Sequence, residues 1–372
     1  MIRSARPNSL QISEPVRALA RLVRTALDRQ APPATIDPAL VEFAIKRHRV
    51  GALIHAAVDA CAKDLGDAAA ARLRRHAEGN ARRAAIVELV QARALHILTR
   101  TNIPSLVFKG QPMARLLYPT PALRHVGDID LMVRPEDFVR AASCLGDAGI
   151  LPARSSLSGH GRLAAFAANF LRDVELHDGP SGSKIELHQR LQFSQTLSNG
   201  ILARDPSFRP RLPGGDRETP APAVGGGLAL YLLQHGAISS WWRLKWLADL
   251  FALMMQLTPG HQNALADMAE TSGSAASAKA GLSLMQAVFG TSICGPLESW
   301  LRETAGARTV TRRVDYYAKM LNEPSVTASS PPNSRLTILR SSLLLSERAP
   351  QRIGILCRAP VASGLRLVSR WI

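Results

Sequence analysis

Two short alternating segments, VELH (174–177) and IELH (185–188), enclose the turn-rich stretch DGPSGS, and no other feature limits the fold of this chain so tightly. Period-two alternation gives each segment an apolar and a polar face, and the Gly and Pro between them supply the chain reversal, so the pair is expected to form a β-hairpin. For a symmetric turn centred on GPSG, antiparallel pairing sets Glu175 opposite Glu186, His177 opposite Lys184 and Asp173 opposite His188. Like charges directly opposed across a ladder destabilise it. The two glutamates are therefore either splayed into water or drawn to a shared cation, and the hairpin alone leaves both readings open.

Upstream, SLVF (105–108) is a short apolar run after a Pro, ended by Lys109 and Gly110. QPMARLLY then returns to helical spacing, PTPALRHVG reads as a loop, and DIDLMV (128–133) reads as a second strand. In a strand, Asp128 and Asp130 point to one side while Ile129, Leu131 and Val133 point to the other. Burying two such acids unpaired costs several kcal/mol, so solvent or a cation is expected between them. Oxygen-only ligands suit Mg²⁺ or Mn²⁺ better than zinc. A D-x-D spacing alone arises roughly once by chance in a chain of this length. Its apolar strand context, the preceding Lys-Gly turn and the acids of the later hairpin sharpen it. Pro135, Glu136 and Asp137 open a further helix, with acids at the positive end of its dipole.

The flanks are helical. Residues 13–101 carry apolar residues at helical spacing, with Asp37 and Pro38 as a start signal, and helical periodicity resumes from Leu228 to Leu257, from Ala264 to Phe289 and in RTVTRRVDYYAKML. The expected division is a helical region over 1–101, an α/β core over 102–204, a Pro/Gly-rich linker or loop over 205–227, a helical domain over 228–321 and a basic tail over 322–372. The class is α+β.

With 372 residues, 46% of them hydrophobic, the chain can bury a sizeable core. Its four cysteines are dispersed, with no Cys-x-x-Cys pair, and neither a signal peptide nor a long apolar span is evident, so a cytoplasmic protein with free thiols is expected. A net charge of +17 suits polyanions, but the basic residues are spread along the chain without interleaved aromatics, so nucleic acid is not the favoured partner.

At these residues the chain resembles the nucleotidyltransferase superfamily with a polymerase β-type palm, and more closely a large bacterial group of uncharacterised nucleotidyltransferase family proteins. The likeness runs through IPSLVFKGQPMARLLYPTPALRHVGDIDLMVRPEDFVRA, VELH, IELHQRL and HGAISSWWRLKWLADLFALM, roughly residues 10 to 260 in pattern. It implies a small mixed sheet flanked by N- and C-terminal helical domains. It implies transfer of a nucleoside monophosphate from an NTP to an unidentified hydroxyl-bearing acceptor, with Mg²⁺ or Mn²⁺ held by Asp128, Asp130 and Glu186. Glu186 matches the third carboxylate, which in such enzymes also deprotonates the acceptor, and Glu175 is the reserve for that place. Lys109 and Gly110 stand where the superfamily usually has Gly-Ser at its phosphate-holding turn, a departure, and the interval to Asp128 is longer than usual. Arg124 would reach a phosphate oxygen and, from the C-terminal helices, Arg243 and Lys245 would bind the γ-phosphate. Trp241, Trp242 and Trp246 are expected as core, and His188 as a weaker site candidate. The alternative is a catalytically impaired scaffold or an RNA-associated protein, and the basic tail is at most an accessory membrane contact.

Overall fold

The computed structural model describes residues 10–28, 36–59, 65–152, 171–192, 194–215, 218–304, 306–325, 334–345, 347–349 and 352. The chain opens with helix α1 (Glu14–Asp28). At the expected start signal, Asp37 Oδ1 accepts the Ala39 amide at 2.8 Å. A short helix over Leu40–Glu42 continues as a π-helix over Phe43–His48 and stops at Arg49, which takes a left-handed conformation. Helix α2 (Gly51–Asp59) and the long α3 (Asp67–Arg100) follow.

The α/β core then runs β1 (Ser105–Val107), α4 (Gln111–Leu117), β2 (Ile129–Val133), α5 (Phe138–Asp147), β3 (Ile150–Pro152), β4 (Asp173–Asp178) and β5 (Lys184–His188). The strands form one mixed sheet in the order β1-β2-β5-β4-β3. The hairpin has the register expected from its symmetric turn, with Asp173 opposite His188, Glu175 opposite Glu186 and His177 opposite Lys184. β2 lies parallel to β5, which sets Asp130 beside Glu186 and Met132 beside His188.

Alternation sorts the sheet into two faces. Ile129, Leu131 and Val133 of β2, Val174 and Leu176 of β4, and Ile185 and Leu187 of β5 pack on the apolar sides of α3 and α5 in one core. The opposite face carries Asp130, Glu186, Glu175, Asp173 and His188, next to a second core in which Leu106, Phe108 and Met132 meet both the N-terminal helices and the C-terminal ones.

β3 was not expected. Its three residues carry no readable period, and they become a strand only because they pair with β4. Part of the Pro/Gly-rich stretch covers the sheet edge: Ser105 and Arg211 exchange both backbone hydrogen bonds, and the Val107 amide donates to Pro220 O at 2.8 Å. An edge strand paired in this way offers no template for another chain.

After α6 (Gln195–Leu202) the C-terminal helices are α7 (Gly226–Ile238), α8 (Leu244–Met254), α9 (Pro259–Ser272), α10 (Ala275–Phe289), α11 (Pro296–Arg302), α12 (Ala307–Leu321) and α13 (Ser334–Leu345). The run read as one helix from Leu228 to Leu257 is two, broken where Ser240 and Trp241 take positive φ. Trp241 and Trp242 are fully buried, as expected of core, and the Arg47 guanidinium stacks 3.4 Å above the Trp242 ring. Within the segment read as a tail, Leu345 is buried and Ser341 Oγ lies 2.6 Å from Ser240 Oγ. Residues 326–333, 346, 350–351 and 353–372 of the segment read as a basic tail lie outside the described residues. Among the described residues no helix is long and apolar enough to cross a membrane.

Candidate active site

Parallel pairing of β2 with β5 and antiparallel pairing of β5 with β4 line up Asp130, Glu186 and Glu175 across three adjacent strands on one face. Asp128 stands just before β2, and His188 follows Glu186 by two residues and so shares its face. Asp130 is 1% exposed, and its Oδ2 accepts no hydrogen bond. One ligand atom from each of Asp130, Glu186 and His188 lies within 4.8 Å of the others.

Two ammonium groups balance these acids. Lys109 Nζ, from the turn after β1, is 2.8 Å from Asp130 Oδ1. Lys184 Nζ is 2.6 Å from Glu186 Oε1, 3.5 Å from Asp128 Oδ2 and 3.6 Å from Glu175 Oε2. Burial opposes ionisation of Asp128, but the charges of Lys109, Lys184 and Lys245 outweigh it and hold that carboxyl well below the carboxylate range. Burial also works against the Lys109 charge, and Asp130 above all keeps it protonated. For Glu186, the nearby His188 ring and the charge of Lys109 overcome burial and the repulsion of Asp128, and the carboxyl titrates low. His188 is buried, yet its Nε2 lies 3.4 Å from Asp130 Oδ1 and 3.6 Å from Glu186 Oε2, and these acids raise its pKa against the desolvation.

Asp130, Glu186 and His188 form a group that could hold a metal ion, and one buried Asp130 oxygen accepts no hydrogen bond. Glu175 is set off from that cluster: half exposed, it pairs with His177 Nε2 at 2.9 Å.

Gly110 explains the turn. Its φ of 79° is left-handed, and a side chain there would stand 3.6 Å from the Asp128 carbonyl oxygen, so Lys109 and Gly110 pass directly beside the first aspartate. The long interval to Asp128 is filled by α4, a turn of 3₁₀-helix at Pro121–Leu123 and a loop that Asn80 of α3 fastens to the helix.

Arg124 is engaged elsewhere. Its Nε and Nη2 donate to the two oxygens of Asp249 at 2.9 and 3.0 Å, and Tyr118 donates to Asp249 Oδ1 at 2.6 Å, all three residues being buried. Asp249 was missed by sequence reasoning, although an acid inside the apolar helix segment WLADLFALM was the available signal. Arg243 is buried, whereas Lys245 is half-buried, with its pKa pushed down to about 7 by burial and by Arg124 and Arg49. The structure thus brings Asp128, Asp130, Glu186, Lys109, Gly110 and Lys245 together, holds Glu175 at the rim and commits Arg124 to an internal pair.

Residues 36–290 match the family described as uncharacterised nucleotidyltransferase. No curated protein and no solved structure matches the chain. Because that match spans more than half of the chain, and includes the whole acidic row and the Lys-Gly turn, the chain belongs to the uncharacterised nucleotidyltransferase family, whose activity class is nucleotidyl transfer.

Proposed function

We propose that this chain transfers a nucleoside monophosphate from an NTP to a hydroxyl-bearing acceptor and releases pyrophosphate, with Mg²⁺ or Mn²⁺ held by Asp128, Asp130 and Glu186. The observation that carries the reading is the pairing of Asp130 with Glu186 across parallel strands, with a buried carboxylate oxygen lacking a hydrogen bond. A bound divalent ion supplies charge stabilisation at the phosphates. In the reaction the acceptor oxygen bonds to the α-phosphorus, the bridge to the β-phosphate breaks, and pyrophosphate departs with that electron pair. Glu186, held ionised, takes the hydroxyl proton. Lys109 and Lys184, already among the acids, offer positive charge to the phosphates as their carboxylate partners turn to the metal. The acceptor is a small molecule, peptide or protein, and the dispersed cysteines favour the cytoplasm as the compartment.

A second reading rests on the same two lysines. Ammonium groups at 2.8 Å from Asp130 and 2.6 Å from Glu186 neutralise the acids without a metal, as a catalytically impaired scaffold would. Isothermal titration with Mg²⁺ and ATP or CTP separates the two. The enzyme reading expects binding by the wild type that is lost in Asp128→Asn/Asp130→Asn, and equal binding by both proteins sinks it.

A further inference from the structure

One face of α3 meets the loop that leads into β2. His76, Asn80 and Arg83 recur at helical spacing on that face. Asn80 Nδ2 donates to the carbonyls of Ala122 and Arg124 at 2.7 and 2.9 Å, and its Oδ1 accepts the Val126 amide at 3.2 Å. The loop is thus fastened to the helix, and the His125 ring lies parallel to the His76 ring at 6.5 Å between centroids. The start of α2 packs on the same histidine: a side chain at Gly51 would stand 2.6 Å from His76 Cδ2. Arg49, two residues before Gly51, takes φ 55° at the end of the π-helix. Lys245 lies one helical turn before Asp249, and therefore on the side of α8 that faces Arg124.

Arg49, His76, Arg124 and Lys245, from four separate segments, lie close enough for their charge to act on His125, and Arg83 acts in the same way on Arg49 and His76. Among the described residues, Arg49, Arg83 and Lys245 have no carboxylate within ion-pair distance, and His125 Nδ1 is buried without a hydrogen-bond partner. Asp128 is the acid whose charge reaches Arg49, and it reaches Lys245 together with Asp249; it is also shared with Lys109 and Lys184. Uncompensated like charges repel, and an arrangement that keeps them together suits an anion.

We propose that Arg49, Arg83, His125 and Lys245 form an anion subsite for a phosphate group at the Asp128 end of the acidic row, so that the N-terminal helices are part of the substrate site. Its place next to the metal-binding acids rests on the nucleotidyl-transfer reading. The phosphate comes either from the far end of the nucleotide or from a phosphorylated acceptor. Arginine forks at such a site grip phosphate oxygens through two donors each.

The test is metal-free titration of the full chain with inorganic pyrophosphate, in EDTA, against Arg49→Gln, Arg83→Gln and the double variant. Arg83 is exposed and Arg49 half-exposed, and thermal unfolding of each variant checks that it folds. Each single change is expected to weaken pyrophosphate about tenfold, the effect of one charge-assisted contact, and the double change about a hundredfold. Displacement of pyrophosphate by ATP with Mg²⁺ identifies the source as the nucleotide, and simultaneous binding identifies it as the acceptor; either result supports the subsite. No pyrophosphate binding by the wild type, or equal binding by the wild type and a folded double variant, overturns it. Because this titration needs no metal and leaves Asp128 and Asp130 intact, its failure is distinct from failure of the nucleotidyl-transfer reading.

Discussion

Replacing Asp249 by Leu tests what fixes the entry to β2. Asp249 accepts three hydrogen bonds, two from Arg124 and one from Tyr118, and the Arg124 and Asp249 side chains are 9% and 2% exposed. The leucine leaves a guanidinium and a phenol buried without an acceptor. Removal of one partner from a buried ion pair costs about 3–5 kcal/mol, because the surviving charge has lost both water and partner. Replacing both members by apolar side chains of similar volume removes the stranded charge, so Arg124→Met/Asp249→Leu is expected within about 1 kcal/mol of the wild type, apart from about 1 kcal/mol for the freed Tyr118 hydroxyl. The assay is urea unfolding followed by tryptophan fluorescence, with the four proteins forming a double-mutant cycle. A loss below about 1 kcal/mol for Asp249→Leu, or a double variant as unstable as the sum of the single ones, refutes the reasoning. Arg124 lies four residues before Asp128, so the Asp249 pair also anchors the entry to β2 to the C-terminal helices.

Three further outcomes follow from the same geometry. Lys184→Met removes the ammonium shared by Glu186, Asp128 and Glu175, and is expected to tighten Mn²⁺ binding about tenfold, read by electron paramagnetic resonance titration; unchanged or weaker binding contradicts its role as a resident counter-ion. Gly236→Ala puts a methyl group inside the buried Trp241 ring system and is expected to cost about 1–3 kcal/mol in chemical unfolding. Lys245 titrates at about 7 when folded, well below an ordinary lysine, because of burial and then Arg124 and Arg49, while Asp128 and Asp249 oppose the shift and His125 and His235 also face it. Between that value and the ordinary lysine range the unfolded chain keeps a proton that the folded chain has released, so stability rises with pH across this window. Unfolding free energies from pH 7 to 9 are expected to climb more steeply in the wild type than in Lys245→Met.

The hairpin and the facing of β2 were legible because strand periodicity and turn chemistry act over a few residues. VELH and IELH carried the hairpin register by themselves, and DIDLMV carried its facing. The parallel pairing of β2 with β5 was not legible, since it joins segments more than fifty residues apart through packing on α3 and α5. The same limit hid β3, whose three residues depend on β4, and the cover that Arg211 and Pro220 give β1. Among the proposed site residues, Asp128, Asp130 and Glu186 were readable as candidates from spacing and likeness. The fate of Arg124 was not, because its partner Asp249 lies 125 residues away. The convergence of Arg49, Arg83, His125 and Lys245 depends on how a helix face, a loop and two helix ends pack, and no local pattern encodes that.

The most direct measurement supplies ATP or CTP labelled at either the α- or the γ-phosphate, with Mg²⁺ or Mn²⁺, to the purified chain and an extract of cells that contain its acceptor. Nucleotidyl transfer predicts acceptor labelled from the α-position only, stoichiometric pyrophosphate, and loss of both products in Asp128→Asn/Asp130→Asn. Label from the γ-position instead, or α-label and pyrophosphate that persist in that double variant, contradicts the account.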